Sequence, residues 1–318
     1  MNRRFAVLFT VVVVAIVISP LTVAARSGKQ AITAVTAASG ARTSPATSPA
    51  QASPSPVAAV AAAAPRDSAA LVAALQQVVA GSGATVGVTV VELGGLDPIT
   101  WSLDGTAVFT AASTYKLAAL MMEALNIAAG TTDPNGLVCY QEADYEAGWF
   151  DDYAPGVCFT RNELSSRAAK QSDNTAGHML VRDLGGAAVL NAWTASVGTT
   201  SSAFFEGNTT TAADLAALWV AEANGDLGGA AAQAWLYPLL TGTATESGIP
   251  AGVPAGSTVV HKTGTIDAVN NDASLVMSGP DGEYVLIVMT DGLGGAVGWG
   301  LIASASAAVW QAELSRTQ

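Results

Sequence analysis

Apolar residues recur at one-turn spacing through Leu71, Leu75 and Val79, predicting a helix that Asp67 and Ser68 can cap and Gly81-Ser82-Gly83 ends. The β-branched run over 85–93 predicts a strand and 99–103 a second, joined by a turn through Gly94, Gly95 and Pro98. From about Ser113 to Ala234 the spacing is mainly helical, with periodic runs over 117–128 and from Thr211 through Asp214. Three further strands are predicted over 258–262, 273–277 and 284–289, the last two separated by a Gly279-Pro280-Asp281-Gly282 turn; a closing helix follows over 299–314. The order points to an α+β fold: a five-stranded antiparallel sheet flanked by helices, with an all-helical lobe beside it.

The N-terminal part follows a different rule. Arg3 and Arg4 precede an apolar stretch over 5–19, Pro20 ends it, and Val23-Ala24-Ala25 offers small residues for cleavage. Residues 1–25 therefore predict a signal peptide, and a secreted or envelope-associated protein. The apolar stretch is shorter than the roughly 20 residues of a typical span. An uncleaved N-terminal anchor is the alternative, and the only expected link to a membrane. Residues 26–66 are rich in Ala, Ser, Pro and Thr and predict a disordered linker, either a spacer or simple filler. The folded domain is expected over 67–318.

Half of the 318 residues are hydrophobic and only 12% are charged, which suits a large core. A formal charge of −12 with no basic cluster argues against nucleic acid as a partner. In an oxidising compartment Cys139 and Cys158 are expected to form a disulfide, two buried thiols being the alternative. Two cysteines with two histidines, His178 and His261, show no metal-ligand spacing, so neither a metal nor a cofactor is expected. A monomer is the default.

The chain has no Gly-x-Ser-x-Gly elbow, phosphate loop or dinucleotide fingerprint, and two histidines leave few candidates for a Ser-His-Asp triad. Lysine is more informative. Beyond the linker there are only Lys116, Lys170 and Lys262. Ser113-Thr114-Tyr115-Lys116 places a hydroxyl and an amine on one face of a predicted helix, where a lysine of lowered pKa can take the serine proton. Ser172-Asp173-Asn174 offers a hydroxyl for proton relay and an amide for positioning. His261-Lys262-Thr263-Gly264 carries the sole Lys or Arg between Arg182 and Arg316, at the end of a predicted strand. Taken singly, the first two motifs read also as a helix surface and a helix cap, whereas a single cation kept in so long a stretch is more easily explained by a task than by surface solubility. Lys170 reads as a solvated helix residue and His178 as a packed or surface one. Trp149, Phe150 and Tyr153 read as loop packing, or as a rim to a cleft.

Together and in this order, the three motifs resemble those of the penicillin-recognising serine enzymes, class A β-lactamases in particular. The segments Phe109 to Leu117, Asp144 to Gly148, Ser172 to Ala176, Leu184 to Gly186, Thr209 to Thr211 and Ile249-Pro250 also look like that family. The resemblance covers about Asp67 to the C-terminus. It implies that Ser113 attacks an amide carbonyl, Lys116 helps to activate it, and Ser172 passes a proton to the leaving nitrogen. It further implies that Asn174 positions a β-lactam or peptidoglycan-peptide-like substrate whose carboxylate meets Lys262, Thr263 and Thr265, with Gly264 allowing close approach. Backbone N–H groups of Ser113 and Thr265 would form the oxyanion hole.

Two features depart from the family. Its Glu-x-x-Leu-Asn segment, whose glutamate activates the water that releases the acyl group, is absent from the shorter stretch 198–209. Glu206, the only carboxylate there, is the candidate deacylation base, or else a loop-surface charge. The family's carboxylate-binding arginine is also missing, with Asn270, Asn271 and Asp272 roughly where it is expected. Acylation machinery is complete and deacylation machinery is not. A slow penicillin-binding D-alanyl-D-alanine carboxypeptidase or esterase, or a non-catalytic wall-binding module, are the alternatives to a working lactamase.

Overall fold

A computed structural model describes residues 68–95 and 97–317. The signal peptide and linker expected over 1–25 and 26–66 lie outside the described residues. The chain runs through α1 (Ala69–Val79), β1 (Thr85–Glu92), β2 (Thr100–Leu103), β3 (Phe109–Thr110), α2 (Tyr115–Ala128), β4 (Leu137–Cys139) and β5 (Cys158–Thr160). The helices α3 (Arg161–Lys170), α4 (Asn174–Asp183) and α5 (Ala187–Val197) follow, then β6 (Thr209–Thr210), α6 (Ala212–Ala223) and α7 (Gly229–Leu236). The strands β7 (Val259–Ile266), β8 (Val269–Val276) and β9 (Tyr284–Asp291) precede the closing α8 (Gly295–Arg316).

Five strands form the expected antiparallel sheet, in the order β2-β1-β9-β8-β7. Side chains alternate across a strand, so a sheet covered on both faces reads as a continuous apolar run. In β9, Val285, Ile287 and Met289 join the core with the helical lobe, while Leu286 and Val288 pack with Leu71, Leu75, Ile302 and Val309 of α1 and α8. The two cores therefore share the sheet as their partition. Among the described residues no helix is long and apolar enough to cross a membrane.

Strand β8 begins at Val269, four residues before the expected 273, because Asn270, Asn271 and Asp272 interrupt the apolar run yet are fully buried. Hydrogen bonds make that burial tolerable. Asn270 Nδ2 donates to Gly295 O (3.1 Å), Asn271 Nδ2 to Thr110 O (2.8 Å), and Asp272 Oδ2 accepts from Ile249 N (2.8 Å). The longer β8 carries its partner with it, so β7 extends past 262 to Ile266, which pairs with Val269. The block expected to be mainly helical also contains two small antiparallel pairs, β3 with β6 and β4 with β5. Cys139 and Cys158 are directly opposed in the latter and joined by a disulfide. Thr211 caps α6, accepting from Asp214 N (3.0 Å), whereas Ser68 makes no side-chain cap bond on α1.

Candidate active site

Nine of the fourteen residues of α2 are buried, and a helix apolar nearly all round belongs in an interior. Ser113 lies in the short 3₁₀ turn that leads into it. The preceding Ala112 has φ +48°, a left-handed conformation that costs a non-glycine residue about 1 kcal/mol or more. The turn is held from outside: Asn271 Nδ2 donates to the Thr110 and Ala111 carbonyls, and Thr114 Oγ1 to Ala111 O at 2.7 Å.

One turn into α2, Lys116 is wholly buried, and its amine is the hub of the site. Nζ lies 3.0 Å from Ser113 Oγ, 2.6 Å from Ser172 O, 2.6 Å from Asn174 Oδ1 and 3.4 Å from Ser172 Oγ. Burial, and then the charge of Lys262, press its pKa well below the usual lysine range, against the opposing influence of Asp173 and Glu146.

Ser172 arrives on the turn before α4, and Asn174 is the first residue of that helix. Asp173 caps that helix, accepting from Ala176 N (2.8 Å) and from Tyr153 Oη (2.7 Å), which fixes the turn from behind. Ser172 itself sits at φ +59°, a second strained residue at the site. Lys262 approaches from β7, the edge strand. Its Nζ donates to Ser172 Oγ (2.9 Å) and Thr263 O (2.8 Å), and burial lowers its pKa to about 7 against the pull of Asp272. Ser172 Oγ thus lies between two lysines of weakened basicity.

Behind Lys262, the fully buried His261 donates from Nδ1 to Asp272 Oδ1 (2.8 Å), and its Nε2 lies 3.1 Å from Glu246 Oε1. Burial opposes its charge, yet Asp272 and Glu246 together raise its pKa to about 9.

Gly264 is required by closeness rather than by a turn. A methyl group there would lie 2.7 Å from Ala111 O and 3.0 Å from Ser113 N. Gly264→Ala is expected to push β7 away from the Ser113 turn and slow acylation by about a hundredfold, as a misplacement near 1 Å does. Burst kinetics on the folded variant, with folding checked by circular dichroism, test this.

Ser113 faces two adjoining clefts. One, of about 270 Å³, is lined by Ser113, Tyr115, Glu146, Asn174, His178, Phe205, Asn208 and Thr265; the other, of about 230 Å³, by Ser113, Trp149, Ser172, Thr245, Thr263 and Thr265. Ser113, Lys116, Ser172, Asn174, Lys262, Thr263, Gly264 and Thr265 are therefore brought together. Glu206 is not. It is exposed and lines a neighbouring hollow with Asp144 and Arg182, while Phe205, the residue before it, enters the Ser113 cleft. Asn270, Asn271 and Asp272 are buried hydrogen-bonding residues of β8 and line neither cleft. Thr265 Oγ1 does reach Asn270 Oδ1, at 3.3 Å.

Other readings also change. His178 is a cleft residue, paired with Glu146 Oε2 at 3.2 Å and edge-on to Phe205. Trp149 is 67% exposed on the second cleft, whereas Phe150 and Tyr153 pack around the Arg167 guanidinium. Lys170 is half-buried and donates to Thr241 O. Glu146 had no assigned role in the sequence. Its only signal was membership of the family-like segment 144–148, and spacing alone does not show that this loop delivers it to Asn174 Nδ2, 2.7 Å away.

A mainly helical lobe meeting an antiparallel sheet, with a serine–lysine pair at the junction, defines the serine β-lactamase-like class of fold. Residues 70–312 match the model of the Beta-lactamase enzyme family, and the chain belongs to that family. Among solved structures it is similar to PBP-A, at 27% identity and TM-score 0.71, covering 78% of this chain and 98% of that one. A point variant of PBP-A, captured as an acyl-enzyme complex with penicillin G, aligns at 27% identity and TM-score 0.70 over 78% and 98% of the two chains. A β-lactamase from Sphaerobacter thermophilus aligns at 26% identity and TM-score 0.68 over 78% and 97%. No curated protein matches the chain.

Proposed function

We propose that the chain is an exported serine hydrolase, with a signal over 1–25, a linker over 26–66 and a monomeric catalytic domain from 67, in which a β-lactam or related cell-wall amide acylates Ser113. The observation that carries this reading is the Lys116 amine, wholly buried and within 3.4 Å of Ser113 Oγ, Ser172 Oγ and Asn174 Oδ1 together. Neutral Lys116 takes the Ser113 proton as Oγ adds to the carbonyl carbon. Backbone N–H groups of Ser113 and Thr265 stabilise the oxyanion, donors of a kind typically worth about 3–4 kcal/mol. Ser172 hands its hydroxyl proton to the leaving nitrogen and takes one from the Lys262 ammonium, 2.9 Å away, which is reprotonated from solvent. Asn174 orients the amide side, and Thr263, Thr265 and Lys262 receive the substrate carboxylate.

A second reading is a penicillin-binding D-alanyl-D-alanine carboxypeptidase or esterase of slow turnover. It is favoured by the placement of Glu206 outside the Ser113 cleft. Intact-mass spectrometry of the protein mixed with benzylpenicillin separates the two. A transient adduct with accumulating hydrolysed penicillin supports the lactamase, and an adduct lasting hours supports the slow enzyme. No adduct and no product would overturn both.

A further inference from the structure

The stretch 198–209 brings no carboxylate to the Ser113 cleft, yet the cleft contains one, Glu146, from the loop between β4 and β5. Its side chain is 53% exposed and anchored at both oxygens, with Asn174 Nδ2 2.7 Å from Oε1 and His178 Nε2 3.2 Å from Oε2. The other ring nitrogen, His178 Nδ1, is 3.0 Å from Asp144 O, a carbonyl that only accepts, so Nδ1 carries a proton. Held by the Asp144 carbonyl at Nδ1, the ring presents Nε2 to Glu146 Oε2 and fixes that side chain on the cleft wall.

An independent feature points to the same space. Tyr115 is 6% exposed and lines this cleft, and its Oη has no hydrogen-bond partner among the described residues. A buried hydroxyl left unpaired costs about 1–3 kcal/mol, so it calls for a partner from the cleft. Burial, reinforced by Glu146 and Asp173, pushes its ionisation far above the usual range, and the neutral phenol is free to hold a water.

We propose that Glu146 is the base of deacylation, that Tyr115 Oη holds the attacking water beside it, and that His178 positions the Glu146 carboxylate. This rests on the acyl-enzyme reading of Ser113. The water oxygen adds to the ester carbonyl carbon while its proton passes to Glu146. The bond between that carbon and Ser113 Oγ then breaks, and Oγ takes a proton from the Lys116 ammonium left by acylation. The product departs as a carboxylic acid, Lys116 is neutral again, and Glu146 returns its proton to solvent.

Adduct formation and release on the full chain with benzylpenicillin, followed by rapid-quench intact mass, test the proposal. Glu146→Gln keeps the acceptor for Asn174, and is expected to slow release about a hundredfold while slowing formation less than about threefold. Tyr115→Phe is expected to slow release about tenfold. Hydroxylamine attacks an ester without a general base, and is expected to clear the adduct equally fast from all three proteins. Release from Glu146→Gln at the unsubstituted rate would overturn the proposal. So would a proportional slowing of formation, release and hydroxylamine clearance, which marks Glu146 as a support for Asn174 alone. An adduct on the unsubstituted protein that never clears overturns it while leaving acylation standing; no adduct at all overturns the acyl-enzyme reading and this inference with it.

Discussion

Ser113→Ala is expected to form no adduct with benzylpenicillin and to lose turnover by about 10⁴-fold or more, the scale on which removal of a nucleophile is felt. Lys116→Met, which preserves the buried volume, is expected to slow acylation by about 10²–10⁴-fold, the range of a general base. The two losses have one origin. Lys116 Nζ donates to Ser172 O and Asn174 Oδ1 and lies 3.0 Å from Ser113 Oγ, so that on losing a proton it can turn a lone pair toward that hydroxyl. Burial and the neighbouring Lys262 lower its pKa, which makes the neutral amine easier to reach than in an ordinary lysine. Acylation therefore rises as pH rises through this lowered pKa, and the rise vanishes in Lys116→Met. Stopped-flow acylation by a chromogenic cephalosporin across pH 5–9 measures both. An adduct in Ser113→Ala would move the nucleophile to another residue, and an unchanged pH profile in Lys116→Met would remove Lys116 as the base.

Asp272→Asn is expected to destabilise the fold by about 3 kcal/mol near pH 6, because it removes one partner of a buried ion pair. Asp272 Oδ1 accepts from His261 Nδ1 with both side chains fully buried. The folded His261 pKa, about 9 against an ordinary 6.5, is raised, so its contribution is complete below about 6.5 and is lost as pH rises through about 9. Lys262 works the other way. Its lowered pKa near 7 makes the folded state gain stability as pH rises above that value. The prediction is therefore a difference: the gap between unsubstituted protein and Asp272→Asn in urea unfolding narrows steadily from pH 6 to pH 10. A gap constant across that range would mean that His261 is not the proton-bearing partner. Because Lys262 follows His261 on β7 and bonds Ser172, the same variant is expected to alter the alkaline limb of acylation.

Periodicity and motif spacing made much of this readable before any coordinate. The one-turn repeat of Leu71, Leu75 and Val79, the β-branched run into β1 and the Ser113–Lys116 spacing are local properties. An amphipathic repeat needs a face to bury, and a hydroxyl and an amine three residues apart on a helix are neighbours whatever surrounds them. Where the chain departed from local rule, the reading slipped. The polar run Asn270-Asn271-Asp272 hid the start of β8, because its burial depends on partners at Thr110, Ala111, Ile249, His261 and Gly295, remote in sequence.

The site divides in the same way. Ser113, Lys116, Ser172, Asn174 and Lys262 were legible because each belongs to a short motif. That burial lowers the pKa of both Lys116 and Lys262, and that Ser172 lies between them, follows from packing, since desolvation is a property of the surroundings and not of the residue. The same holds for the carboxylates. Glu206 stood in the expected stretch and Glu146 in an unassigned loop. Only the folding of the β4–β5 connection against α4 set Glu146 on Asn174 and His178, while the 198–209 stretch turned Phe205 into the cleft and left Glu206 on the surface. Sequence spacing determines which groups one element can present together; which of them share a cleft, and with what charge, is decided by contacts between residues far apart in the chain.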